Sequence, residues 1–401
     1  MSALVSPQPF RIGIPEQVLD DLHARLQRAR RPRVLKRGSW DGGTDPDYLD
    51  ELIRYWRTDF DWHQRERELN QLAHFTAHVG EASIHYVHET GLGVRSTPVL
   101  LLHGWPDSFL RYQKVIPLLV GAEHDDANEL TCDVVVPSLP GFAFTGQVGP
   151  PGEVPSIKSS AQLMHRLMTD VLGYQHYVVS GGDGGSAIAQ SMAIQFPDSV
   201  TAIHLTDIGW HGNNGAALTD IEQKYIAAAT KKFMDDGAYV AVHASQPRAL
   251  AASLNDSPTG LASWIVDRFH SWSDLPRQLE QSFSKDELLT NITIYWATQT
   301  IQSSIYGYLA ETRQPSLGHH DHVAAPVALA LFPRDMAGIP PRRLAERSLN
   351  VVRWTEMAGG GHFGAWERPE EFAADLKAFV ASLQDSPASR TSHADAARKT
   401  L

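Results

Sequence analysis

The sequence predicts an α/β fold, a doubly wound and mostly parallel sheet with a helical insertion late in the chain and a helical extension ahead of it. Three observations predict it. Short apolar runs at residues 97–102, 131–136, 177–180 and 200–205 alternate with helical or loop connections, as strands buried on both faces of a parallel sheet require. That rhythm stops between about Gly212 and Ala325, where residues 218–234, 260–272 and 286–309 show helical spacing, and it resumes at 327–331 and 350–354. The stretch YVVSGGDGGSA at 177–187 breaks an apolar run into glycines around one carboxylate and continues as AIAQSMAIQF, which reads as strand, sharp turn, helix.

The elements follow in chain order. After Pro15, Val18, Leu19, Leu22 and Leu26 share one face of a short amphipathic helix that Arg31 and Pro32 end. Beyond the Gly/Asp-rich loop GSWDGGTDPD, residues 48–69 repeat apolar side chains at helical spacing, with Trp56 and Trp62 expected to pack this segment onto something larger. The first strand-like alternation comes at 82–88. An α/β core interrupted in this way has the layout of an α/β-hydrolase with a cap, which roofs a site at the carboxyl edge of the sheet. The expected organisation is therefore a helical extension at 1–80, core at 81–211, cap at 212–325, core again at 326–384 and a loosely ordered polar tail at 385–401.

Composition limits the function. With 46 acidic and 35 basic residues the formal charge is -11, which disfavours nucleic acid and anionic membrane surfaces as partners. The single cysteine, Cys132, lies in an apolar run and forms no internal disulfide, and no stretch of 18 apolar residues occurs. A soluble, cytoplasmic protein is expected.

The chemistry centres on Asp183. Gly181-Gly182-Asp183-Gly184-Gly185 fits the small-x-nucleophile-x-small pattern of a nucleophile elbow, with aspartate where esterases carry serine. A carboxylate suits displacement at saturated carbon, giving an alkyl ester that a second step hydrolyses. The same glycines satisfy a dinucleotide fingerprint, Gly182-x-Gly184-x-x-Ala187 with Asp207 as the ribose acid, but that reading leaves the other motifs without a role. One is HGWP at 103–106, which in isolation is equally a tight turn; there the N–H of Trp105, with that of Gly184, is expected to form an oxyanion hole. FPRD and GGGHF follow the last two strand-like runs and supply Asp335 and His362 in the order nucleophile, acid, base. A leaving alkoxide needs a general acid, and the cap offers Tyr239 and Tyr308, in competition with Tyr225, Tyr295 and Tyr306. The histidines of GHHDH at 318–322 (His319, His320, His322) read as a solvated turn in place of a metal site.

Over nearly its full length the chain resembles the microsomal-type epoxide hydrolases. The segments that carry the resemblance are PDYLDELIRYWRTDFDWHQRERELNQLAHF, HGWPDSF, GGDGGS, LNDSPTGLASWI, LLTNITIYWATQTIQSS, FPRD and GGGHF. The resemblance implies hydrolysis of a small-molecule epoxide to a vicinal diol. Asp183 would be the nucleophile, His362 the base, Asp335 its partner acid, and Tyr239 and Tyr308 the ring-opening acids, with Tyr306 the alternative to Tyr308. Trp105 and Tyr306 are expected to line the substrate. Gly184 stands where the family often carries a bulky residue, which leaves space over the site. No hydrophobic anchor precedes the extension, unlike membrane-bound relatives, in keeping with the soluble assignment. The resemblance implies no cofactor and leaves a homodimer open, as it does a detoxifying, catabolic or secondary-metabolite role. The rivals are a dehalogenase, which typically carries tryptophan or arginine where Gly184 stands, and a non-catalytic protein of the same fold, which would lack a triad member.

Overall fold

The computed structural model describes residues 6–384 except 31–32, 34–36, 95, 122–129, 147, 149–154, 209–216, 275–278 and 319. The expected tail at 385–401, His319 and the junction at residues 211 and 212 lie outside the described residues. Nine strands form one sheet: β1 (Gln8–Pro9), β2 (His74–Val79), β3 (Ala82–Glu89), β4 (Ser96–Leu102), β5 (Thr131–Pro137), β6 (Tyr177–Gly181), β7 (Val200–Leu205), β8 (Val323–Leu331) and β9 (Leu349–Glu356). Their spatial order is β1-β2-β3-β5-β4-β6-β7-β8-β9. Pairing is antiparallel from β1 to β5 through β3, and parallel throughout β5, β4, β6, β7, β8 and β9.

The apolar runs give the sheet two buried faces because successive side chains alternate. Val99, Leu101, Val134, Val136, Ala328 and Ala330 join one core, whereas Leu100, Leu102, Val135, Val179, Leu329 and Leu331 join the other. Cys132 is buried in the first. Trp56 and Trp62 share that core with Leu261, Ile265, Phe269 and Ile292 of the helices between β7 and β8, so the N-terminal helices pack against that insertion. Arg25 with Asp256, and the Tyr55 hydroxyl donating to Asp286, tie the same two parts together at the surface.

Three segments differ from the sequence expectation. The N-terminal part is not wholly helical, because β1 and β2 add an antiparallel edge; Gly80, at φ 66, lets β2 turn back onto β3. The stretch 48–69 is two helices, Pro46–Thr58 and Trp62–Leu69, and Asp61 caps the second by accepting from Gln64 N–H. Residues 286–309 likewise split into Lys285–Thr298 and Ile301–Arg313 at Gln299, which sits in the left-handed region at φ 54. Two short helices, Ala238–Ser245 and Pro247–Asp256, complete the insertion between Asp220–Asp236 and Pro258–Trp272. Among the described residues no helix is long and apolar enough to cross a membrane.

Candidate active site

At the carboxyl end of β6 the chain turns into the helix Gly184–Gln195 through Asp183, a non-glycine residue held at φ 55, ψ -128. The glycines around it are required by close approach: a Cβ at Gly181 would strike the Gly185 carbonyl, and one at Gly185 the Leu102 carbonyl. A Cβ at Gly184 would meet only Gly104 Cα, at 4.0 Å, an ordinary contact. The turn is held from below, where Asp207, just after β7, accepts from Asp183 N–H at 2.8 Å and from the Ser186 hydroxyl at 2.9 Å. The turn therefore presents the Asp183 carboxylate above the sheet.

One carboxylate oxygen, Oδ1, accepts from Trp105 N–H at 2.9 Å, and Gly184 N–H also hydrogen-bonds this carboxylate. The other, Oδ2, lies 3.3 Å from His362 Nε2, without the alignment of a hydrogen bond, so Nε2 is buried and otherwise unpartnered. His362 Nδ1 is 2.8 Å from Asp335 Oδ1, and His362 N–H donates to the Trp272 carbonyl. Burial opposes ionisation of Asp183, but the close approach and charge of His362 outweigh it, with help from the two backbone donors, and hold the carboxyl at about 2. Burial likewise opposes the imidazolium, yet Asp335 and Asp183 outweigh it and lift His362 to about 10.

The loop carrying Trp105 is pinned on several sides. Asp107 accepts from Gly104 N–H at 2.9 Å and pairs with the fully buried Arg111, whose guanidinium also reaches the His362 carbonyl. The helix Lys285–Thr298 contributes Asn291, which donates to the Pro106 carbonyl, and Tyr295, which donates to the Asp107 carbonyl. His103 Nε2 accepts from Leu139 N–H. The Trp105–Pro106 peptide is cis.

Asp183 opens onto two apolar cavities, one of about 280 Å³ and one of about 620 Å³, which share Asp183, Phe233 and Tyr239 as lining. Tyr239 stacks on Trp105 at 5.5 Å, and Tyr308 meets both rings edge-on. Burial, then neighbouring negative charge, raises both phenols far above their ordinary range, so they remain protonated donors at neutral pH. Tyr306 lines neither cavity, which corrects the expectation of a substrate contact. Two residues of helix turn it by about 200° from Tyr308. Tyr225 lies in the smaller cavity near Asp335, and Tyr295 is spent on the loop.

Sequence reasoning missed three contributors. Asp207, weighed only as a ribose acid, lies beneath the elbow; burial and then the charge of Asp335 push its carboxyl up to about 6. Arg111, two residues beyond HGWPDSF, carries no signal in the sequence and is 0% exposed. His243, one helical turn after Tyr239, is enclosed by Trp105, Tyr239 and Tyr308, and its Nε2 accepts from Trp264. Its spacing from Tyr239 was the available signal. No group of metal-ligating side chains occurs among the described residues, and His320 and His322 are exposed.

Comparison with known proteins supplies the remaining findings. Residues 7–112 match the family described as epoxide hydrolase N terminus, and residues 97–369 the α/β-hydrolase fold. The chain is 31% identical to epoxide hydrolase 1 of Sus scrofa over 410 residues, covering 94% of this chain and 89% of that one. Among solved structures it is similar to the Aspergillus niger epoxide hydrolase, with a TM-score of 0.83, 29% identity and coverage of 95% of this chain and 98% of that one. It is also similar to the juvenile hormone epoxide hydrolase of the silkworm Bombyx mori, with a TM-score of 0.83, 26% identity and coverage of 94% and 95%.

Proposed function

The chain belongs to the epoxide hydrolase family and is a hydrolase acting on epoxides, and from that premise we propose a two-step covalent mechanism at Asp183. The observation that carries it is the division of labour between the two carboxylate oxygens: Oδ1 accepts from the Trp105 N–H and Oδ2 faces a buried imidazole.

In the first step Oδ2 attacks an oxirane carbon, the carbon–oxygen bond of the ring breaks, and Tyr239 and Tyr308 donate to the departing oxygen. Their burial favours this role, because a phenol that resists ionisation stays protonated and its hydrogen bond is stronger in a low dielectric. The ester leaves Oδ1 as its carbonyl oxygen. In the second step His362 Nε2 takes a proton from water, which attacks the ester carbon, and negative charge collects on Oδ1 where the N–H groups of Trp105 and Gly184 receive it. Collapse expels the diol oxygen, which takes the proton back from the imidazolium, and the second proton of the water, left on the Asp183 carboxyl, replaces the one given to the oxirane oxygen.

Esterification also times the second step. Two carboxylates raise His362 in the free enzyme; the ester neutralises one, so the imidazole releases its proton and becomes a base when a base is required. Asp335 keeps the ring oriented through Nδ1.

A single turnover in heavy-oxygen water with enzyme in excess tests the reading. The diol should be unlabelled and the label should appear in the peptide containing Asp183, because the diol takes its second oxygen from the carboxylate. Label in the first diol and none in the protein overturns the covalent mechanism. A role in detoxification or in tailoring a secondary metabolite is compatible with this chemistry, and the fate of the diol in the producing cell decides between them.

A further inference from the structure

The loop that carries His362 rests on the end of the helix Pro258–Trp272, in the insertion between β7 and β8. Three successive N–H groups make the contact. Gly360 donates to Asp274 Oδ2 at 3.0 Å, Gly361 to Glu367 Oε1 at 3.1 Å, and His362 to the Trp272 carbonyl at 2.8 Å. Glu367 turns its other oxygen to the insertion, where Oε2 accepts from Asp274 N–H at 2.8 Å. One carboxylate therefore bridges the loop of the base and the chain just beyond the helix. The approach is too close for a side chain: a Cβ at Gly361 would lie 2.4 Å from the Trp272 carbonyl oxygen and 2.7 Å from Asp274 N. Phe363, next in the chain, stacks on Phe269 of the same helix at 4.3 Å.

Neither Glu367 nor Asp274 has a part in the chemical steps, yet both are tied to the backbone of the base. Asp335 orients the imidazole through Nδ1, but the placing of the whole ring over Asp183, with Nε2 at 3.3 Å from Oδ2, depends on where that backbone lies. The bridge also explains why a carboxylate is kept where solvent is scarce. Burial pushes the Glu367 carboxyl up to about 6, against the opposing effect of the N–H groups of Asp274 and Gly361. Two backbone donors from distant parts of the chain converge there. A carboxylate accepts from both, whereas the amide of a glutamine presents one acceptor and one donor.

We propose that Glu367 is a positioning residue for the hydrolytic half of the reaction: by bridging Gly361 and Asp274 it holds His362 Nε2 where water is activated against the ester. The inference rests on the two-step mechanism above. Ring opening draws on Asp183 and the two phenols, and the elbow of Asp183 is supported separately by Asp207 and the Trp105 loop. Loss of the bridge therefore falls on decay of the ester and spares its formation.

The test separates the two half-reactions. Wild type, Glu367→Gln and Asp274→Ala are mixed with styrene oxide, and formation and decay of the alkyl-enzyme are followed by quenched-flow mass spectrometry of the intact protein. Glu367→Gln keeps the shape of the side chain and turns a donor toward one of the two N–H groups. It should form one adduct per chain at a rate within about twofold of wild type, while decay slows by roughly 10 to 100-fold and kcat and KM fall together. Asp274→Ala removes the acceptor of Gly360 N–H and should shift the ratio of formation to decay in the same direction. A merely structural role would instead lower the number of adducts per chain and leave the decay rate of those that form unchanged. Decay at the wild-type rate in both variants, or equal slowing of formation and decay, overturns the proposal. Diol released without an adduct in any of the three proteins refutes the covalent mechanism instead, a result distinct from an adduct that decays normally.

Discussion

Replacing Asp183 with asparagine imitates the charge of the ester intermediate and isolates its effect on His362. Two unit charges separated by the 3.3 Å between Nε2 and Oδ2 interact by about 5 kcal/mol at an effective dielectric of about 20, equivalent to roughly 3 to 4 pH units on the imidazole. From about 10 in the free enzyme, His362 should fall to about 6 to 7 once Asp183 is neutral, with Asp335 still in place. The measurement is the pH titration of the imidazole nitrogens by NMR on histidine-labelled wild type and Asp183→Asn, with the variant's mass checked against deamidation. A catalytic corollary follows with its sign. Ring opening needs Asp183 ionised, which persists to about 2, whereas hydrolysis needs neutral His362 and rises with pH to a plateau above about 7. At pH 5 the alkyl-enzyme should therefore accumulate as a mass adduct that drains when the pH is raised. A titration that moves by less than about one pH unit between the two proteins would refute the idea that the ester switches His362 into its basic form.

Other outcomes are equally concrete. Tyr239→Phe and Tyr308→Phe should each slow ester formation by about 10 to 100-fold in stopped-flow experiments, and the double variant should nearly abolish it, because among the described residues no other tyrosine lines the larger cavity with Asp183. Asp207 has a folded-state pKa raised above its unfolded value, so its contribution to stability is present at pH 4 and is lost as pH rises through about 6. Asp207→Asn keeps an acceptor for Asp183 N–H but cannot ionise, and thermal melts should show its stability relative to wild type improving between pH 4 and pH 7. Arg111→Met removes the partner of buried Asp107 and should cost about 3 to 5 kcal/mol in urea unfolding, with kcat falling as the Trp105 loop loses its anchor.

The local features of the site were readable because their chemistry is local. A strained turn that lifts a side chain above a sheet needs glycines at its flanks, and the close contacts of Gly181 and Gly185 explain why GGDGGS stood out. Asp335 and His362 were found from their positions just after apolar runs, which are the carboxyl ends of β8 and β9. The hairpin of β2 and β3 escaped notice because HFTAHV is short and only part of it is buried, so its alternation is weak; pairing with β3 made it a strand. The choice between Tyr306 and Tyr308 depended on the direction of the helix Ile301–Arg313 relative to the cavity, which spacing within the helix does not supply.

What the sequence by itself determined was the alternation of buried strands, the helical insertion and the positions of Asp183, Asp335 and His362 just beyond strands, since each follows from periodicity or from a backbone conformation that few residues adopt. The tertiary structure alone decided that Asp207 supports the elbow, that Arg111 is buried behind the loop of Trp105, and that Asp183 stands between two cavities. Those facts depend on strand order and on packing between residues remote in the chain, and neither leaves a periodic trace in the sequence.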